Sequence, residues 1–165
     1  MVEETIFTAH SSILKIWSLL SDLPGFGRWH PHYRVLSDAS PGQDFLLSWL
    51  IFDDRRLKIL LRLDLVEKPR AIGWSGGIRG LLVLKECYEI SPIANGAEIR
   101  HSFECRGLIG LLLGSIKRGG IRSNMAVQDA AFLTQLKKRG RKPLSGKDSV
   151  RKPAPGARPR GADND

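Results

Sequence analysis

AEIRHSFEC, residues 97–105, alternates between apolar and polar side chains along its whole length. The odd-numbered positions from 99 to 105 hold Ile, His, Phe and Cys, whereas the even-numbered positions from 98 to 104 hold Glu, Arg, Ser and Glu. A period of two with one polar face is typical of a half-buried antiparallel strand. This stretch therefore predicts a sheet with one covered side, and it places the imidazole of His101 on that side.

The residues upstream show the same period in a series of short segments. Strands are predicted over residues 4–9, 33–39, 44–52, 56–67, 71–75 and 81–90. In the longest of them the leucines and the isoleucine at odd positions from 57 to 65 share one face, opposite Lys58, Arg62 and Asp64. Glycine and proline separate the segments, and the last connection is expected to run from Ser91 to Gly96. The series predicts an antiparallel sheet of about seven strands.

Helical periodicity appears at both ends of this series. Ser11 and Ser12 precede apolar residues at helical spacing up to Leu20, and one more short helical turn is expected around 26–29. After Gly107 the period returns to 3.6, and a buried stripe is predicted along one long helix that ends near Lys138; its members are Ile121, Met125, Gln128, Phe132 and Leu136. The fold class is therefore α+β, with two short helices after the first strand and a long C-terminal helix.

Most of the positive charge lies at the end of the chain. The formal net charge is +9, yet ten of the 26 basic residues and only three of the 17 acidic residues lie between Lys137 and the end. Beyond Gly140 almost nothing is apolar, so ordering could not be offset by burial. We predict a domain over 1–139 and a disordered basic tail over 140–165. The tail is either solvated charge or a weak contact to nucleic acid or anionic lipid.

Other sequence features bear on location. The N-terminus lacks the basic region and long apolar stretch of an export signal, and the longest charge-free apolar run, 107–116, is too short to span a bilayer. Cys87 and Cys105 form no Cys-x-x-Cys motif and too few pairs for a disulfide framework. These features predict a cytoplasmic protein without a transmembrane segment.

Four short motifs resemble one family. Residues 16–22 (IWSLLSD) and 29–31 (WHP) resemble the "V-W-x-x-L-S-D … W-x-P" opening of the polyketide cyclase/dehydrase branch of the START-like (SRPBCC) superfamily. Residues 72–76 (IGWSG) are similar to its "L-x-W-x-G", and 123–126 (SNMA) to a motif of its final helix. The resemblance covers residues 3–138. It implies the helix-grip fold, in which a curved sheet wraps around the last helix and encloses a cavity for a small molecule.

Glu86 and His101 are the most informative pair of residues. Where many members of the family carry His, this chain has Glu86, and Phe103 stands where they carry Glu. Glu86 shares a face with the apolar residues of its strand, and a loop over 91–96 would set it directly opposite His101. Burial would raise the carboxyl pKa and lower the imidazole pKa, while pairing would oppose both shifts. The pair could orient the polar end of a ligand or stabilise the wall, or it could act as acid and base. Alternatively, the register could be different, with Glu86 facing solvent.

The remaining candidate residues are aromatic and apolar. An adaptable apolar wall is expected on the inward faces, although core packing explains each of these residues equally well. The predicted ligand-contacting residues are Trp29, Trp49, Trp74, Tyr88, Phe103, Ile121 and Met125.

Two further motifs are weaker. Residues 73–77 match Gly-x-Ser-x-Gly, but the nucleophile elbow needs a helix after the serine and a strand is predicted there. His30-Pro-His32 could supply two metal ligands, but no third ligand follows at a recognisable spacing. Neither a metal nor a cofactor is predicted.

Three functional hypotheses remain. In the first, the domain binds a hydrophobic or amphipathic small molecule, lipid-like or polyketide-like, and Glu86 and His101 orient it. In the second, the same pair moves protons in a cyclase or dehydratase reaction. In the third, the basic tail is the active part and binds nucleic acid or an anionic membrane.

Overall fold

The computed structural model describes residues 1–52 and 55–140, and within these ranges it describes no side chains for 51–52, 109–110 and 112–119. The elements in chain order are β1 (Val2–Ala9), α1 (Ile13–Leu20), a 3-10 helix (Leu23–Arg28), β2 (Tyr33–Val35), β3 (Asp44–Phe52), β4 (Arg55–Glu67), β5 (Ala71–Ile78), β6 (Leu82–Ile93), β7 (Gly96–Arg106) and α2 (Leu108–Gly140). Apart from Gly140, the predicted tail lies outside the described residues.

The seven strands form one antiparallel sheet in the order β1-β7-β6-β5-β4-β3-β2. Strands β2 to β7 are a meander of sequential neighbours, and β1 closes the sheet by pairing with β7. The sheet curls into a half-barrel whose concave face receives α2. The predicted α+β fold with a curved sheet around the C-terminal helix is confirmed.

The predicted alternation in β4 and the predicted stripe on α2 provide much of the core. Ile59, Leu61 and Leu63 are buried on β4, whereas Lys58 and Leu60 on the other face are exposed. All five residues of the predicted stripe on α2 are buried. Their burial against the concave face supplies the apolar contact that holds the helix, since a long helix is stabilised mainly by packing.

The ends of several elements differ from the prediction. Ser12 is the N-cap residue of α1, but its side chain makes no capping hydrogen bond. Strand β2 ends at Val35 and not near Ala39, because the hydroxyl of Ser37 accepts the Leu46 amide and takes the place of a backbone partner. The C-terminal helix continues to Gly140.

The β6–β7 hairpin corrects the predicted register. Strand β6 continues through Pro92 to Ile93, which pairs with Gly96, so that only two residues form the turn. Proline lacks an amide hydrogen but keeps an extended backbone, and it does not start the loop here. Glu86 is therefore opposite Phe103, and His101 is opposite Tyr88. Because the error is two residues, both side chains remain on the predicted face.

Gly96 is required where the hairpin crosses the end of β1. Its φ is +139°, and a Cβ atom would lie 2.1 Å from the carbonyl oxygen of Ala9. We expect Gly96→Ala to lower the free energy of unfolding by about 2 kcal/mol or more, measured by urea titration, since it adds a backbone clash to an unfavourable φ.

Gly42→Ala is the matched control for this prediction. Gly42 also has a positive φ, +72°, but a Cβ there would meet nothing within 4 Å. Gly42→Ala should lower the free energy of unfolding by the backbone strain alone, about 1 kcal/mol. Equal losses in the two variants would contradict the role of the close approach.

Candidate functional site

The predicted pair lies in the interior beneath α2. The Nε2 atom of His101 is 2.9 Å from Oε1 of Glu86, although the two residues are diagonal neighbours and not directly opposite. His101 is 0% exposed and Glu86 is 2% exposed. The two side chains meet as predicted, through a different register.

A third charged residue completes this cluster. The Nδ1 atom of His101 is 2.8 Å from Oδ1 of Asp129 on α2, and the hydroxyl of Thr5 donates to Oδ2 of Asp129 at 2.6 Å. Thr5 lies directly opposite His101 in the β1–β7 register. The charged network, Glu86, His101 and Asp129, therefore joins β6, β7 and α2, and Thr5 adds β1.

Aromatic side chains surround the network. The indole of Trp74 donates to Oε2 of Glu86 at 3.3 Å, and the hydroxyl of Tyr88 donates to Oε1 at 3.4 Å. The rings of Tyr88 and His101 are stacked, with centroids 4.1 Å apart and planes 15° apart. Trp74 and Tyr88, which were predicted to contact a ligand, are thus partners of the network.

The environment determines the charge of His101. Burial alone lowers the pKa of its imidazole, but hydrogen bonds to Asp129 and Glu86 and the charges of these carboxylates raise that pKa to about 9. His101 is consequently a cation at neutral pH. Burial and the Glu86 carboxylate also raise the pKa values of Tyr33 and Tyr88 well above 10, so both phenols stay neutral.

This bonding pattern limits the chemistry of the network. Both ring nitrogens of His101 face carboxylates, and both oxygens of Glu86 accept hydrogen bonds. A proton could pass to a ligand only after one of these contacts breaks. The arrangement is better suited to holding charges in place than to exchanging protons.

Four of the predicted lining residues bound a small cavity between the sheet and α2. Its volume is about 20 Å³, and its walls are Tyr33, Trp49, Phe103, Ile121, Asn124, Met125 and Gln128. The rings of Trp49 and Phe103 are 6.0 Å apart at one wall. Trp29 lies elsewhere, with its ring near those of Phe26 and Phe132.

Sequence reasoning missed Asp129, Thr5 and Tyr33. A signal for Asp129 was present, because it stands four residues after Met125 and three before Phe132, at the spacing that puts side chains on one helix face. A carboxylate on a buried stripe needs a partner, and His101 was the candidate already identified.

The weaker motifs have structural explanations. Ser75 lies inside β5, its hydroxyl donates to Asp64, and a strand follows. The Nδ1 atom of His30 accepts the backbone amides of Tyr33 and His32. In the described part of the chain, no group of three or more His, Cys, Asp or Glu side chains is arranged so that it could hold a metal ion. No helix within residues 1–52 and 55–140 has the length and apolar character needed to cross a membrane.

The sequence matches no family model and no curated protein. Solved structures do match. The Thermus thermophilus protein TTHA0849 aligns with a TM-score of 0.69 and 10% identity over 84% of this chain and 99% of its own. The Nitrosomonas europaea protein NE0264 gives a TM-score of 0.67 and 12% identity over 85% and 96% of the two chains.

The third comparison is with an enzyme. The Zhui aromatase/cyclase of a Streptomyces species aligns with a TM-score of 0.66 and 16% identity over 86% of this chain and 96% of that chain. At such identities the likeness concerns the fold, which hosts many functions. The chain therefore has the helix-grip fold that the sequence motifs implied.

Proposed function

We propose that this domain binds a hydrophobic or amphipathic small molecule, lipid-like or polyketide-like, between the concave face of the sheet and α2. The observation that carries the proposal is the cavity, whose wall combines three aromatic rings with the flexible thioether of Met125. Aromatic and thioether groups with few polar atoms form adaptable walls for apolar ligands. The fold that the chain shares with an aromatase/cyclase can bind hydrophobic ligands, which supports the proposal.

Binding requires the cavity to widen. Sites for drug-sized molecules have volumes of roughly 300–1,000 Å³, and the described side chains leave about 20 Å³. Met125 is the side chain best able to move, because it is unbranched and has three rotatable bonds. The charged network holds β6, β7 and α2 together while the wall adapts.

Catalysis by Glu86 and His101 is the alternative, as a cyclase or dehydratase. Its support is the aromatase/cyclase among the structural neighbours. The geometry favours binding over this alternative, because neither nitrogen of His101 is left for a substrate.

We place this binding in the cytoplasm, since Cys87 and Cys105 are both buried free thiols. Contact with nucleic acid or anionic lipid through the basic tail stays a prediction from composition alone.

The test is to fill the cavity. Met125→Trp places a larger side chain among Trp49, Phe103 and Ile121, and we expect it to weaken binding at least about tenfold, because overpacking leaves no room for a ligand. The purified full chain would be assayed by native mass spectrometry and calorimetry against palmitate, cholesterol and an aromatic polyketide.

Val127→Trp is the control, because Val127 is 49% exposed on the other side of α2. It should bind like the unmodified chain. A chain that binds no member of the panel, or a Met125→Trp variant that is folded and binds normally, would refute the proposed site.

A further inference from the structure

A pocket opens on the outside of the domain, where β1 passes into α1 beside the last turns of α2. Its volume is about 370 Å³, and sites for small molecules have roughly 300–1,000 Å³. The lining residues are Thr8, His10, Ser11, Ser12, Lys15, Leu133, Leu136, Lys137 and Gly140. None of them lines the cavity beneath α2, so the two sites are separate.

The apolar surface of this outer pocket comes from α2. Leu133 and Leu136 are three residues apart, a spacing that puts both side chains on one side of a helix. Leu136 is buried and Leu133 is half-buried, so both belong to the base of the pocket. The neighbouring Phe132 contacts Phe7 of β1, with ring centroids 6.0 Å apart, and holds this part of α2 against the sheet.

The charged residues of the outer pocket are both positive. Lys15 of α1 and Lys137 of α2 line it from opposite sides and are exposed, and neither forms an ion pair within the part of the chain that the structure describes. Among the described residues at its walls none is acidic. The carboxylate of Asp22, which follows α1, is already bound by Arg28 at 2.9 Å and by Arg139 at 2.7 Å. The pocket therefore presents two uncompensated positive charges to a ligand.

Hydroxyl groups add hydrogen-bond donors beside these two charges. Thr8, Ser11 and Ser12 line the pocket, and the side chain of Ser12 makes no capping hydrogen bond to α1. Each of these hydroxyl groups can donate to an anionic oxygen. His10 is fixed at the same wall, because its Nδ1 donates to the carbonyl oxygen of Asn95 at 3.1 Å.

We propose that the outer pocket binds a small phosphate monoester whose organic part is a compact apolar group. A phosphate monoester carries about −1.5 to −2 charges at pH 7 and three strong acceptor oxygens, so it matches two ammonium groups and several hydroxyl donors. A carboxylate carries one charge and would leave the second lysine uncompensated. The apolar group lies against Leu133 and Leu136. This site goes beyond the proposed function, and either site can exist without the other.

Three matched probes test the chemistry of the ligand by titration of the ¹⁵N-labelled full chain at pH 7.5. Phenyl phosphate has the phosphate and an apolar ring, methyl phosphate lacks the ring, and benzoate has the ring with a single charge. We expect phenyl phosphate to bind at least about fivefold more tightly than either of the other two, because each of them lacks one kind of contact. The amide signals of residues 8–15 and 133–140 should shift and reach saturation.

Substitution of the two lysines tests the location of the site. Lys15→Gln and Lys137→Gln should each weaken the binding of phenyl phosphate at least about fivefold, because each removes a charge-assisted contact to the phosphate. Lys138→Gln is the matched control, since Lys138 is also exposed on α2 but does not line the pocket. It should bind phenyl phosphate like the unmodified chain. All three substitutions replace exposed side chains, so we expect every variant to fold.

Several outcomes would overturn the inference. Equal weakening by all three substitutions would mean that phosphate is attracted only to the general positive charge of the chain. Equal affinity for phenyl phosphate and benzoate would overturn the assignment of a phosphate, and equal affinity for methyl phosphate would overturn the apolar contact. Shifts that are absent, or confined to residues around the cavity beneath α2, would remove the site altogether. Met125→Trp, which tests the proposed function, should bind phenyl phosphate normally, so the two proposals fail independently.

Discussion

His101→Phe is expected to lower the free energy of unfolding by about 3–5 kcal/mol at pH 7. Phenylalanine preserves the stacking on Tyr88 and most of the volume, but it leaves Glu86 and Asp129 buried without the cation between them. Breaking a buried ion pair by removing one partner has a cost of this size, because the remaining charge is uncompensated. Urea unfolding followed by tryptophan fluorescence would measure the loss.

Two variants isolate the electrostatic cause of this loss. His10→Phe replaces an exposed histidine and should change stability by less than about 0.5 kcal/mol. The combination of His101→Phe with Glu86→Gln and Asp129→Asn removes all three charges and should recover a large part of the loss. If the triple variant is less stable than His101→Phe, packing and not charge explains the effect.

The stability of the protein should pass through a maximum near pH 6.5 because two buried histidines titrate in opposite directions. His101 has a folded pKa of about 9, above its unfolded value of 6.5. Its contribution to the free energy of unfolding is complete below pH 6.5. That contribution is lost as the pH rises towards 9, because the folded state keeps a proton that the unfolded chain releases. The difference between the folded and unfolded pKa values of His101 corresponds to a loss of about 3 kcal/mol in the free energy of unfolding between pH 6.5 and 9.

His30 determines how the stability changes with pH on the acid side of the maximum. Its folded pKa lies well below 6.5, so its contribution is complete above pH 6.5 and is lost as the pH falls below that value. Urea titrations from pH 5 to 9 would record both slopes. The triple variant without network charges should lose the alkaline slope, and His30→Asn should flatten the acid slope. A profile that is flat from pH 6.5 to 9 would contradict a charged His101.

The alternation of apolar and polar residues predicted the sheet well. The strand over 44–52 has the predicted limits, and both the buried face of β4 and the stripe of α2 are as predicted. The β6–β7 register was wrong because a shift of two residues leaves every side chain on its own face, so only the turn distinguishes the two registers. Because Pro92 was assigned to the loop, the predicted loop is four residues longer than the observed turn.

The candidate site was predictable only in part. Glu86 and His101 could be found because each interrupts an otherwise apolar strand face. The hydrogen bonds that fix the ring of His30 could not, because they depend on the path of the backbone over residues 30–33. Such contacts depend on tertiary packing, which periodicity does not describe.

The pairing of β1 with β7 has a consequence for the order in which the chain assembles. Val2 is aligned with Glu104, so the first strand emerges from the ribosome about 100 residues before its partner. At synthesis rates of roughly 5–20 residues per second, that interval is roughly 5–20 s. During this time the meander β2 to β6 can form from neighbouring strands, whereas β1 has no strand to pair with until β7 is synthesised. Closure of β1 and α2 onto the meander, through Thr5, His101 and Asp129, is therefore the expected last step of folding.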